Sequence, residues 1–150
     1  MIRLAFTLRK PPTHEHTSLD HASWATFKVN GVLQLDAERL VLEWAVTANK
    51  GVAKGVDFKM NVEEMPVEAL ELPVERLYEA KLHNKWWRPH LDLTANDLTL
   101  FHGVPGAEGS TLRLFVARAD RTLADHIAAD INDAIRLAHE TSIPSPLPPG

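Results

Sequence analysis

The residues best suited to chemistry are a cluster of histidines near the N-terminus and a basic, tryptophan-bearing segment in the second half of the chain. His14-Glu15-His16, with Asp20 and His21, sets three imidazoles and two carboxylates within eight residues, a donor set that suits a divalent ion such as zinc or nickel. No HExxH spacing or helix fixes their geometry, and a solvated loop also accounts for them. His14, His16 and His21 are therefore candidate metal ligands, and no cofactor is implied. The second cluster is Lys81, His83, Lys85, Trp86, Trp87, Arg88 and His90, with three full positive charges and two adjacent indoles in ten residues. Cations beside aromatics suit phosphate, anionic lipid heads or an acidic peptide, and Trp and Arg are favoured interface anchors. The alternative puts one indole in the core and the other over a strand edge, with the cations answering the run Asp57 to Glu79, which holds seven acidic and two basic residues. The binding candidates are Lys81, Lys85, Trp86, Trp87, Arg88 and His90.

Catalytic patterns are absent from the sequence. Ser18, Ser23, Ser110, Ser142 and Ser145 stand in no GxSxG setting. Gly103, Gly106 and Gly109 have no P-loop lysine after them. Glu63 and Glu64 are adjacent in a turn-like segment, where carboxylates stay solvated. Pro146 and Pro149 have PxxP spacing without a flanking basic residue.

Composition narrows the partners. A formal charge of −4 offers no general attraction for nucleic acid or anionic membranes. The absence of cysteine excludes disulfides and thiolate chemistry and suits a reducing cytoplasm. No stretch approaches the roughly 18 apolar residues of a membrane span, so a soluble, cytoplasmic protein is expected.

The elements that must position these residues follow from periodicity. Alternation of two recurs in Ile2 to Leu8, Leu40 to Val46, Val56 to Val62, Tyr78 to Leu82, Leu91 to Leu93 and Leu112 to Val116, each predicting a strand with one buried face. Nine or ten strands are expected. Asn30-Gly31 predicts a two-residue hairpin joining Trp24–Val29 to Val32–Asp36, and Asn96-Asp97 predicts a turn before a strand at Leu98–His102. Residues 10–21, 49–55 and 103–109 read as loops. From about 122 to 139 the period becomes 3.6: Leu123, Ile127, Ile131, Ala134, Ile135 and Ala138 fall on one helical face, with Asp125, Asn132, Asp133 and Arg136 opposite. Asp120 or Thr122 is placed to cap it. Residues 1–140 are expected to form one mostly β (α+β) domain, its antiparallel sheets making a sandwich or partly open barrel closed by the C-terminal amphipathic helix. The proline-rich residues 141–150 are expected to be a disordered tail.

This order of elements, with the run Glu68-Ala69-Leu70-Glu71-Leu72-Pro73-Val74-Glu75-Arg76-Leu77, the segment Lys85-Trp86-Trp87-Arg88-Pro89 and the loop Gly103 to Gly109, resembles small bacterial pleckstrin-homology-like domains over roughly Ser23 to His139. The resemblance implies a sheet array closed by a helix. It leaves function open among lipid binders, peptide binders and oligomerisation modules. The expectation is a noncatalytic protein-binding or self-assembly module, whose partner includes a second copy of itself. An anion or lipid-head binder using Lys81 to His90 is the rival, and a small enzyme or metal-binding protein the third reading.

Overall fold

The computed structural model describes residues 2–18 and 20–142. These form β1 (Arg3–Leu8), β2 (Thr13–Ser18), β3 (His21–Asp36), β4 (Arg39–Lys54), β5 (Asp57–Glu64), β6 (Glu68–Pro73), β7 (Leu77–His83), β8 (His90–Ala95), β9 (Thr111–Phe115) and α1 (Arg121–Ser142). The architecture is mostly antiparallel β with one C-terminal helix. A single open sheet runs β5-β4-β3-β1-β9-β8-β7, with β2 added to β3 beside β1 and β6 added to β4 beside β5. The N-terminal strand is the join between the halves: β1 pairs with β3 from Arg3 to Leu8 and meets β9 at Thr7↔Phe115.

Alternation decides which face is buried. Leu4, Phe6 and Leu8 of β1, Leu40, Leu42 and Trp44 of β4, Leu91 and Leu93 of β8, and Leu112 and Leu114 of β9 all point to one side and are buried. Ala124, Ile127, Ala128, Ile131 and Ile135 of α1 close that core. The helix is entered through a 3-10 turn, Arg118–Asp120, and extends past the expected end to Ser142. The remainder of the expected tail, 143–150, lies outside the described residues.

Asn132 departs from the solvent-facing role its wheel position suggests. Its Oδ1 accepts from the Ala80 N–H at 2.9 Å and its Nδ2 donates to the Ala80 carbonyl at 2.7 Å. One amide thus takes the place of a neighbouring strand along the outer edge of β7, satisfying backbone groups that an open edge leaves unpaired. Asn132→Leu should cost about 1–2 kcal/mol, two hydrogen bonds at roughly 1 kcal/mol each. Asp133→Ala, one residue on, should cost almost nothing; urea unfolding of both variants measures the contrast.

Several expected boundaries are corrected. Asn30-Gly31 is no turn: β3 runs through it, paired with β4 without interruption from His21↔Lys54 to Asp36↔Arg39. The hairpin turns instead at Ala37-Glu38, with Ala37 at φ 51°. Gly31 is there for space, because a Cβ would strike the Phe6 ring and lie 2.5 Å from the Glu43 carbonyl oxygen. Residues 49–54 likewise continue β4, and Gly51 makes room for the Trp24 ring across the strand pair. Residues 13–18 form β2 rather than loop, paired with β3. Leu98–His102 is a series of turns in which Phe101 is fully buried and Leu98 exposed. An irregularity between Leu77 and Glu79 shifts the register, so Leu77 is buried and Tyr78 faces solvent. The loop over 103–109 is as expected, with Gly103, Gly106 and Gly109 all at positive φ. No helix among the described residues is long and apolar enough to cross a membrane.

Candidate functional site

Polar chemistry collects on the sheet face that turns away from α1, across β7, β8 and β9. Register does this: His83 pairs with His90, Lys81 with Asp92, and Asp92 with Arg113. Directly opposed residues of antiparallel strands share a face, so His83, His90, Asp92 and Arg113 form one cell. Arg113 Nε donates to Asp92 Oδ1 at 3.0 Å and its Nη2 to Oδ2 at 3.2 Å, a two-point grip. His83 Nε2 lies 3.2 Å from Asp92 Oδ2. The two imidazoles stack with centroids 4.7 Å apart. His90 and Asp92 are only 6% and 9% exposed, the buried polar side chains of the described core.

Each charge has a physical consequence. Hydrogen bonding from the guanidinium to Asp92 raises the pKa of Arg113 further. Burial lowers the pKa of His90; the hydrogen bond of its Nδ1 to the Arg88 carbonyl, 3.3 Å away, works in the opposite direction. As donor in that bond Nδ1 carries the proton and Nε2 keeps the lone pair. Linkage follows with a definite sign. Below the unfolded value of 6.5, the unfolded chain takes up a proton that folded His90 resists, so stability present above 6.5 falls as pH drops toward the folded pKa. Urea unfolding in a chelator between about pH 7.5 and 5.5 should show a smaller loss for His90→Phe than for the parent.

The expected basic aromatic site is divided by the structure. Lys85–Pro89 lies in the connection between β7 and β8, and both Trp86 and Trp87 are exposed, at 66% and 61%. Neither indole is core. Their rings meet edge to face at 5.6 Å, and Arg118 lies 5.8 Å from the Trp86 centroid. Arg88 stacks over Phe115 at 3.9 Å and Lys85 sits over Trp87 at 5.8 Å. Lys81 faces solvent beside Asp92, whereas His90 is buried beneath the segment. The acidic run draws its counter-charges elsewhere: Arg39 pairs with Glu71 and Lys50 with Glu63, while Arg76 within the run pairs with Asp97.

The N-terminal histidines are likewise split. His14 pairs with Trp24 and His16 with Ala22, which puts both on one face of β2 with rings 4.4 Å apart. His21 stands on the alternate face of β3 from Trp24, so the three do not converge.

Around His14 and His16 lies the second surface, missed because alternation shows that two faces differ without showing which is covered. Three rows cross from β3 through β4 to β5: Ala22-Ala53-Phe58, Trp24-Gly51-Met60 and Thr26-Asn49-Val62. None of these nine residues carries a formal charge. Phe58, Met60 and Val62 were expected in the core; they are 59%, 62% and 62% exposed. Trp24 and Phe58 rings approach to 5.4 Å. The other face of the same strands holds Glu15, Lys50, Lys54, Lys59 and Glu63.

The fold and these surfaces define an open antiparallel sheet closed by a C-terminal helix on one face, with a histidine, aspartate and arginine cell on the other. Compared with protein-family models, curated proteins and solved structures, the chain matches none.

Proposed function

We propose that the protein is a noncatalytic assembly module that pairs with a second copy of itself through the uncharged face of Trp24, Phe58, Met60 and Val62. The observation that carries the proposal is three large apolar side chains in one row of β5, each more than half exposed, beside a partly buried tryptophan. Soluble monomers rarely leave such contiguous apolar surface open to water. A second sheet packed at about 10 Å covers it in the manner of a β-sandwich.

Charge favours a copy of the same chain. The chain as a whole, at −4, repels itself, but the strands of this surface are close to neutral. Between Thr13 and Val29 and between Val46 and Glu64 stand Glu15, Asp20, Asp57, Glu63 and Glu64 against Lys28, Lys50, Lys54 and Lys59. Those on the strands lie on the opposite face, apart from Lys28 and Glu64 at its margin, and Asp20 is in the turn before β3. Two identical faces therefore meet without opposed like charges.

The anionic-ligand reading is weaker at the basic aromatic segment because Arg88 and Lys85 are already placed over aromatic rings. The likeness to pleckstrin-homology-like domains enters this proposal only as element order, antiparallel strands followed by one helix, and contributes no ligand. A cytoplasmic setting belongs to the same proposal and rests on the cysteine-free composition.

Sedimentation velocity over a range of protein concentration, at low and high salt, tests the proposal. Apolar contact predicts a reversible dimer that persists as salt rises. A monomer at every concentration, or a dimer that dissolves as salt rises, contradicts it.

A further inference from the structure

We infer that His83, Asp92 and His90 form a binding site for one divalent transition-metal ion of the zinc class. The inference is independent of self-association, since it concerns the other half of the sheet.

Three observations place it here. First, the potential ligand atoms of the three residues all lie within 4.8 Å of one another. Two ligands of a tetrahedral ion with bonds near 2.0–2.1 Å stand roughly 3.3 Å apart, and His83 Nε2 and Asp92 Oδ2 already stand 3.2 Å apart. The His90 ligand atom falls within the same 4.8 Å. Second, the frame is rigid: His90 and Asp92 alternate on one central strand, and His83 stands directly across from His90 on the next. Third, the lone pairs are available. A carboxylate offers about four acceptor positions; Arg113 occupies one on each oxygen, and the position facing His83 is left for the ion. The His90 Nδ1 bond to the Arg88 carbonyl fixes the tautomer whose Nε2 coordinates, as outer hydrogen bonds do for imidazole ligands.

Three protein ligands leave a fourth position for a non-protein ligand. Lys81 and Arg113 flank it, which favours water or a small anion there. Arg113 also limits affinity for a cation, while its two-point grip keeps the Asp92 carboxylate aimed. The histidines first expected to bind metal, His14 and His16, have no third ligand on their face among the described residues.

The test uses the full chain without a histidine tag, stripped by chelator and titrated with zinc chloride against a chromophoric competitor. One ion per chain is expected at this cell, with affinity falling at least tenfold in His83→Ala, a partly exposed position whose loss spares the core. Circular dichroism confirms that this variant is folded. The His14→Ala, His16→Ala variant should keep the site unchanged. Cobalt(II) added to the unaltered protein gives a second readout, visible d–d absorption of a low-symmetry nitrogen and oxygen site that zinc displaces. Absence of stoichiometric zinc binding overturns the inference, as does a single site lost with His14 and His16 and indifferent to His83.

Discussion

Gly31→Ala should destabilise the protein by about 3 kcal/mol or more, lowering Tm by roughly 6–12 °C, although it adds one methyl group. Gly31 lies in the middle of the longest strand pair, flanked by Asn30 and Val32, and its φ is not positive. Conformational freedom is not what it supplies. The added Cβ falls within the ring of Phe6, which is 3% exposed and held among core residues, and 2.5 Å from the Glu43 carbonyl oxygen of the paired strand. Neither obstacle can swing away: one is walled in by the core and the other is backbone. Gly51→Ala provides the contrast, because its Cβ meets the side chain of Trp24, which is only partly buried and lies outside the core. That change should cost under about 1 kcal/mol. Thermal unfolding of the two variants reads the difference, and equal losses would contradict the packing described.

Phe58→Ser with Met60→Ser should weaken self-association at least about 100-fold while leaving Tm close to that of the parent. Both effects come from the same fact. These side chains stand in water on the free side of β5, so they add little to the fold and supply most of the apolar contact when two faces meet. A buried apolar pair of this size, lost from each copy, removes more than the 2.7 kcal/mol or so that a factor of 100 represents. Unfolding of the variant, or unchanged association, would reject the surface.

The sequence displayed the core well and the sheet's edges badly, for definite reasons. Alternation locates a strand and separates its two sides. Where a strand lies under a helix or beside other core strands, as at Leu40 to Val46, the apolar side is the buried one. In β5 the same signal marks a face that nothing among the described residues covers. Glycine was ambiguous in a similar way. Asn30-Gly31 has turn chemistry in isolation, and only the partner across the sheet, Phe6, makes Gly31 a strand residue. The turn that does occur uses Ala37 at positive φ, a residue with no turn signature. The irregularity at Tyr78 left no trace in residue type.

The polar cell was half legible. His90 belonged to the basic aromatic cluster, and His90-Leu91-Asp92 has the spacing that puts two polar side chains on one side of a strand. His83 belonged to the same cluster, but its place opposite His90, like that of the distant Arg113 beside Asp92, comes from register, which no local pattern specifies. The reverse holds for His14, His16 and His21, close in sequence yet divided by the alternation of β2 and β3. Proximity along a strand is poor evidence of proximity of side chains.

Because the chain has no native cysteine, one introduced thiol reports its own surroundings without interference. Met60→Cys, at the centre of the uncharged face, and Trp87→Cys, at the exposed basic segment, should each be treated with a short homobifunctional maleimide at low protein concentration. Face-to-face pairing predicts covalent dimers from Met60→Cys and essentially none from Trp87→Cys. Dimers from Trp87→Cys alone would move the interface to the basic aromatic segment, and no cross-linking from Met60→Cys would contradict assembly through the apolar face.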